Sequence, residues 1–375
     1  MAVVEGSTLT AQQRIDLLTG ESLHVDAELW LLDSSDVLIE DVTADFQAEG
    51  SSIERSMYAT IHGTATLRVS RALQWGSQRL APKLLLSSNG SDWYRWSMGV
   101  FVPSVPTRQL GDTPVTYDVD CMDKLDILNT PHGSTYSLDA GDPILAAVAA
   151  LITGAGETKI NIDQTASATV AASQMTFSLL EEQFTTLGIC NKLLDAVGYR
   201  GLWCDPDGYY RSAPYRAPSE LGSVFALSAD SATTTVGQYR TYESDYWQAA
   251  NVVVGINDDL GDAIPVAGNG IYTATNQADG PTSINARGGR TIRRIVSGTY
   301  ADQAALVVAT DGALDTEKRV ANTVELTVSP NPLLRTHFSV VGFRDDAVPV
   351  NGNHLITAWS CPLDGSDMSV SLRAV

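Results

Sequence analysis

Two hydrophobic periods divide this chain. Apolar residues alternate with polar ones over most of 24–121 and again beyond 246, whereas two stretches between these blocks carry helical spacing. In the first block Val25, Ala27, Leu29 and Leu31 alternate, Asp33-Ser34-Ser35-Asp36 makes a polar turn, and Val37-Leu38-Ile39 returns as the second arm of a hairpin. Ile61, Gly63, Ala65, Leu67 and Val69 then share one face and Thr60, His62, Thr64, Thr66, Arg68 and Ser70 the other, a half-buried strand that sends His62 outward. Residues 83–86 and 93–102 flank Ser87-Ser88-Asn89-Gly90-Ser91-Asp92, a hairpin turn whose Asn-Gly pair accepts positive φ. Residues 113–121 read as another strand, and 122–128 as a short helical turn starting at Asp120 or Asp123.

The middle of the chain changes period. Asp142-Pro143 supplies a cap and a proline at the first helical position, and ILAAVAALI runs on to Gly154 and Gly156, which end the helix. This helix is apolar all round, which requires cover on most sides, yet it falls far short of the ~20 residues that span a bilayer. Residues 161–173 are small and polar, a strand and a loop. Leu187, Cys190, Leu194 and Val197 recur at helical spacing, with Gly198 placed to close that helix in the left-handed conformation. Residues 199–204 alternate, Asp205-Pro206-Asp207-Gly208 supplies turn chemistry, and Tyr209-Tyr210-Arg211 returns, so that a helix feeds an aromatic hairpin.

After Pro214 and Pro218 the alternation resumes. Residues 246–256 contain a strand, 257–262 a turn, and the Gly-, Ala-, Thr- and Asn-rich stretch 268–289 reads as a mobile loop. Residues 300–319 form a helix whose Lys318 and Arg319 place positive charge at its C-terminal end. Val324, Leu326 and Val328 alternate up to the break at Pro330-Asn331-Pro332, and 337–343, 354–360 and 368–372 complete a run of antiparallel strands with Met368, Val370 and Leu372 inward. The order predicts a mainly β fold with an α+β insertion: two barrel-like or sandwich-like β domains flanking a small helix-hairpin domain. The expected boundaries are an arm over 1–22 with a short helix marked by Leu9, Ile15, Leu17 and Leu18, a first β domain over 23–135, the α+β domain over 136–215, and a second β-rich domain with one helix over 216–375.

Charge narrows the function. Forty-four acidic residues stand against 24 basic ones in 375, a net charge of −20 and a pI near 4.5. A surface of that sign repels phosphate backbones, which disfavours nucleic-acid recognition as the main activity. The N-terminus lacks the basic and apolar regions of a secretory signal, so synthesis and folding in a cytoplasm are expected. Cys121, Cys190, Cys204 and Cys361 are widely spaced with no C-x-x-C pair, which predicts four reduced, mostly buried thiols.

Catalytic patterns do not emerge. His24, His62, His132, His337 and His354 show neither H-x-x-x-H nor H-E-x-x-H spacing, no G-x-S-x-G is present, and no phosphate loop lies between a strand and a helix. Asp205 and Asp207 before Gly208 resemble the start of a calcium loop, but position twelve of that loop is Arg216, so a plain turn is expected. The pairs Glu181-Glu182, Asp258-Asp259 and Asp345-Asp346 are adjacent and would point to opposite faces of a strand. The expectation is therefore no enzyme, no cofactor and no metal. Arg287, Arg290, Arg293 and Arg294 form the one basic cluster, a candidate interchain contact because arginine pairs with carboxylates in bidentate fashion. Trp93, Tyr94, Trp96, Trp203, Tyr209 and Tyr210 are candidates for stacking on sugar rings, against the plainer alternative of core or interface.

Three stretches carry a resemblance. The helix ending LLDAVGY with its Asp-Pro-Asp-Gly-Tyr hairpin resembles the middle of the hub proteins at the distal end of bacteriophage tails and related injection machines. WSMGVFVPSVP followed by YDVDCMDKLDIL is similar to the first β-rich domain of such tail proteins, including those of actinobacterial phages. VSPNPLLRTHFSVVGF followed by NHLITAWSCPLDGSDMSVSLRAV is similar to their last domain, with Pro330 or Pro332, Leu333, Asp367, Met368 and Leu372 in place; His337-Phe338 departs from the Gly-Asp pair more usual there. The resemblance implies a trimeric baseplate hub in the virion, whose two similar β domains give a pseudo-sixfold ring on a hexameric tube. Its implied partners are further copies of itself, the tail tube or distal tail protein, fibre or spike proteins and the tape-measure protein, with DNA only a transient passenger of the channel during genome ejection. A receptor- or carbohydrate-binding minor tail protein is the alternative, and a tail-associated hydrolase a third reading that would need a catalytic domain.

Overall fold

The computed structural model describes residues 1–375 except 1, 21, 110–114, 166–169, 172, 179–183, 230–235, 245–248, 258–264, 299, 301–302, 319–321 and 348–349. The expected turn over 257–262, the first two carboxylate pairs and Arg319 lie largely or wholly outside the described residues. The fold is mainly β with a small helical part, and none of its sheets closes into a barrel, so the barrel-like alternative is set aside. The chain divides into two compact units, 1–239 with 326–371 and 240–325 with 372–375.

In the first unit the predicted hairpins form. His24–Leu32 returns as Leu38–Asp41, and Gly63–Val69 buries Gly63, Ala65, Leu67 and Val69 on one face. The expected single strand over 93–102 is two strands, Asp92–Ser97 and Phe101–Gln109. Gly99 at φ 147° breaks the run, which lets Phe101 pair with Leu80. The N-terminal residues are tied down: Ala2–Glu5 lies parallel to Asp92–Ser97, and Thr10 and Gln13 form a capping box at the start of helix Ala11–Leu18.

The strand Val350–Pro362 joins what the alternation alone presents as separate β regions. Its first half pairs with Val340–Asp345, while Ala358 to Pro362 pair with Ser56 to Ser52 of Phe46–Ser56. One sheet therefore runs from the N-terminal hairpins into the C-terminal strands. Met368, Val370 and Leu372 are buried as the alternation requires.

Helices Ile144–Gly154 and Thr186–Ala196 are too short to persist alone in water and are held by packing. Pro143 is the N-cap of the first, one position before the expected place, because its φ of −75° and ψ of 108° are still extended. Ile144, Val148, Ile152, Leu187, Leu193 and Leu194 meet Leu125, Leu128 and Tyr210 in one core. Fully burying each such aliphatic side chain contributes roughly 1.5–3 kcal/mol. The hairpin Trp203–Cys204 and Tyr210–Ser212 follows with Gly198 at φ 71°, as the spacing predicts.

In the second unit, Val266–Ala267, Gly270–Thr275, Val252–Asn257 and Arg293–Gly298 form a sheet in that order. Helix Gln303–Lys318 covers one of its faces, with Ala250, Val253, Ala274 and Leu314 as the small core. Gly255 is required here, since a Cβ at that position would overlap the Thr310 hydroxyl of the helix. The stretch expected as a mobile loop holds a strand and a hydrogen-bonded turn instead. Buried Asn276 donates to Asp279 O at 2.8 Å and accepts from Asp279 N at 2.9 Å, so its amide supplies the partners that loop composition alone does not reveal.

Candidate functional site

Beneath the hairpin tip lies a buried charge cluster that the sequence does not announce. Asp36, expected as part of a polar turn, is buried and stands at φ 61°, a conformation aspartate tolerates better than most residues. Its Oδ1 accepts from Arg79 at 2.5 Å and its Oδ2 from Lys124 Nζ at 2.6 Å. Glu157 pairs with the same two cations, Lys124 at 2.7 Å and Arg79 through a bidentate contact. No side chain of the four is more than 8 % exposed, so the two positive and two negative charges compensate one another out of water. Burial pulls the Arg79 pKa down, but the hydrogen bonds to Glu157 and Asp36 outweigh it and hold the guanidinium above its ordinary value.

This cluster clamps the hairpin onto the first sheet. Lys124 Nζ also donates to Gly208 O at 3.0 Å, and Tyr210 Oη donates to Lys124 O at 2.6 Å. Gly208 stands at φ 82° with Val100 and Asp36 pressed against it, so the turn needs glycine both for conformation and for room. The Asp205 carboxylate accepts from the Asp207 and Tyr209 amides at 3.0 and 2.9 Å and pairs with Arg211 at 2.7 Å. Its oxygens are engaged in closing the turn. Among the described residues no group of three or more His, Cys, Asp or Glu side chains is arranged to hold a metal.

A second cluster corrects the expected exposure of His62. Its ring stacks on His337 at 4.6 Å, and Trp203 stacks on the other side of His337 at 5.3 Å. Burial and then the Arg55 charge lower the His62 pKa to about 4; burial, His62, Arg55 and Arg200 hold His337 well below its ordinary value. Phe338, at the departure from the family pattern, takes φ 58° and lies 3.9 Å beneath the Arg200 guanidinium. Strand alternation missed the inward position of His62 because the residue stands just before the regular strand begins at Gly63.

The candidate sugar-stacking aromatics do not share a surface. Tyr210 and Trp96 are core residues, Trp203 belongs to the histidine stack, and Trp93 donates its indole N–H to Gly90 O. The four thiols are free and buried, and burial pushes those of Cys190 and Cys361 up to about 12, which leaves them unreactive.

The arginines divide by face. Arg293 pairs in register with Val252 and Arg294 with Val253, so the two point to opposite sides of the sheet. Arg294 turns to the helix and pairs with Glu317, whose other oxygen accepts from Ala250 N at 2.9 Å. Arg287 donates to Ala249 O at 2.6 Å, and the Arg290 carbonyl accepts from buried Asn251 at 2.9 Å. Arg290, Arg293 and Arg294 all remain exposed. Arg293 stands beside Ile295, itself 68 % exposed, on the face that helix Gln303–Lys318 leaves open.

No family model matches this chain, and no curated protein matches it. Solved structures do. The tail protein from Neisseria meningitidis MC58 superposes with a TM-score of 0.64 at 11 % identity, over 93 % of this chain and 97 % of that one. The 43 kDa tail protein of prophage MuSo2 from Shewanella oneidensis gives 0.60 at 13 % identity, over 92 % and 98 %. Prophage tail protein gp18 from Listeria monocytogenes gives 0.55 at 11 % identity, over 93 % and 94 %. With nearly the whole of each chain aligned, the protein has the fold of these phage tail proteins.

Proposed function

We propose that this chain is a structural, non-enzymatic component of a bacteriophage tail tip. In this reading it is the hub that joins the tail tube to distal fibres or a spike. The observation that carries the reading is the end-to-end fold similarity to three tail proteins at TM-scores of 0.55 to 0.64. The expected division into two β domains around a helix-hairpin domain remains part of the proposal, because it is what lets three copies present six similar faces to a hexameric tube. The ring would be homotrimeric, with tape-measure protein and DNA as passengers of its channel. A net charge of −20 supports an acidic lumen, along which DNA slides rather than adheres.

The arginines belong away from such a lumen, on an acidic neighbouring chain or the outer wall. Of the four, Arg290, Arg293 and Arg294 are exposed, and Arg294 already pairs with Glu317 of the same chain. Mass measurement in solution combined with electron microscopy of purified tails tests the proposal: the chain should occupy the tail tip as a threefold ring. A chain absent from purified tails, or arginines lining the DNA path, would end it.

A further inference from the structure

Two strands of this chain keep one edge free among the described residues. Leu38–Asp41 pairs only with His24–Leu32, and Arg293–Gly298 only with Val252–Asn257. A free edge presents a row of unpaired backbone N–H and C=O groups to any strand that fits. Both edges also carry apolar surface: Val37 is 59 % exposed, Leu38 and Ile39 are each 51 % exposed, and Ile295 is 68 % exposed. A single exposed aliphatic needs no explanation, but three in succession along an edge call for an occupant.

The charges on the two edges are opposite. Leu38–Asp41 ends in Glu40 and Asp41, and Arg293–Gly298 begins with Arg293 and Arg294, all four exposed. Laid antiparallel, Arg-Arg-Ile-Val from 293 meets Asp-Glu-Ile-Leu read backwards from 41, so that each cation stands opposite a carboxylate and each aliphatic opposite an aliphatic. A slip by one residue keeps only one of the two ion pairs. A parallel alignment over the same four residues sets every charge against an aliphatic side chain. Glu40 already pairs with Arg71 at 2.6 Å, Asp41 accepts from Thr43 N at 3.0 Å, and Arg294 pairs with Glu317. Each keeps capacity to spare, because a carboxylate accepts and a guanidinium donates several hydrogen bonds at once. The register shift at Ile39 is a bulge, a device that discourages indiscriminate edge pairing and leaves the choice of partner to the charges.

In a chain of net charge −20, copies repel one another on average, so association needs a contact that sets the scarce positive charge against the plentiful negative. We propose that each of these edges is occupied by the other edge of a second copy of this chain. Arg293–Gly298 of one molecule joins Leu38–Asp41 of the next in antiparallel fashion, with Arg293 opposite Asp41, Arg294 opposite Glu40 and Ile295 opposite Ile39. The contact is heterologous, so it closes rings or extends filaments instead of stopping at two molecules. It rests on the reading that copies assemble side by side, and it names the acidic surface that the arginines would meet.

Ile39→Cys and Ile295→Cys, made in separate full-length chains, test the contact directly, since the native thiols are buried. A short bis-maleimide should join the two variants when they are mixed and join neither to itself. Charge reversal tests the register. Asp41→Arg and Arg293→Glu should each weaken self-association roughly tenfold in analytical ultracentrifugation, and mixing the two chains should restore it, because both contacts between unlike chains are then attractive. Absence of the cross-link in the mixture overturns the pairing, and so does an edge found occupied by a different protein. The cross-link decides even if Asp41→Arg loses its bond to Thr43 N and fails to fold. A threefold ring in purified tails without the cross-link would end this inference and leave the tail reading standing; a cross-link in a chain absent from tails would do the reverse.

Discussion

The two compact units solve the same problem, holding helices on a sheet, with different materials. The first places two complete ion pairs, an aromatic stack and a broad apolar core beneath its hairpin. The second relies on a core cluster of four buried residues, a glycine that lets the helix approach, and ion pairs open to water, Arg294 with Glu317 and Lys318 with Asp279 and Asp315. Buried charge is an exacting material: it fixes one arrangement, because any displacement leaves a charge unpaired out of water. A thin core with one open sheet face fixes less and leaves apolar surface for a partner.

Breaking the charge cluster should have the largest effect. Lys124→Met strips Asp36 and Glu157 of a shared cation and should cost about 3–5 kcal/mol, read from the midpoint of denaturant unfolding. Replacing all four charges together by apolar residues of similar volume should restore most of that loss; if it does not, the clamp acts through packing rather than charge. Leu314→Ala, in the smaller core, should cost about 2–4 kcal/mol. Hydrogen exchange should show the loss in Val252–Asn257 and Gly270–Thr275 and leave protection of Phe46–Ser56 unchanged. Equal loss in both units would mean that the comparison between them is false.

pH separates the buried groups of the first unit by sign. Burial pushes the Asp123 carboxyl up from 3.8 to about 6, so its contribution to stability is present at low pH and is lost as pH rises through that window. His62, lowered from 6.5 to about 4, acts in the opposite sense: its contribution is present above its ordinary value and lost as pH falls. Between about pH 5 and about pH 7.5, Asp123→Asn should therefore gain more stability than the parent, and His62→Phe less. Identical gains in all three proteins would refute the burial assigned to these groups. The smallest effect on the monomer belongs to Arg293→Glu, within about 0.5 kcal/mol of the parent in melting, because the residue lies on an exposed face. The same change should abolish ring formation if the open face is the interchain contact.

Much of the fold was legible in the sequence because period-2 and helical spacing report burial directly. The buried faces of Gly63–Val69 and Met368–Ala374, the closure at Gly198 and the Asp205 turn follow from local pattern alone. The misreadings share one cause. Asp36 reads as part of a polar turn, His62 as outward-facing and Asn276 as part of a mobile loop, yet Asp36 and Asn276 are buried and His62 is half-buried against His337, with partners set by the fold. The arginines illustrate the opposite limit: their closeness in sequence is real, but strand alternation sends Arg293 and Arg294 to different faces.

What the sequence by itself determined is a large part of the elements and their order, though not the strands Ala2–Glu5, Phe46–Ser56 and Gly270–Thr275, because hydrophobic period, caps and turn residues act over a few positions and need no knowledge of the rest of the chain. Only the tertiary structure decided that Val350–Pro362 would join the C-terminal strands to Phe46–Ser56, and that Asp36, Arg79, Lys124 and Glu157 would meet beneath Gly208. The physical reason is that strand pairing and charge compensation depend on which groups leave water together. Arg79 and Glu157 are 78 positions apart, a separation that no local period encodes.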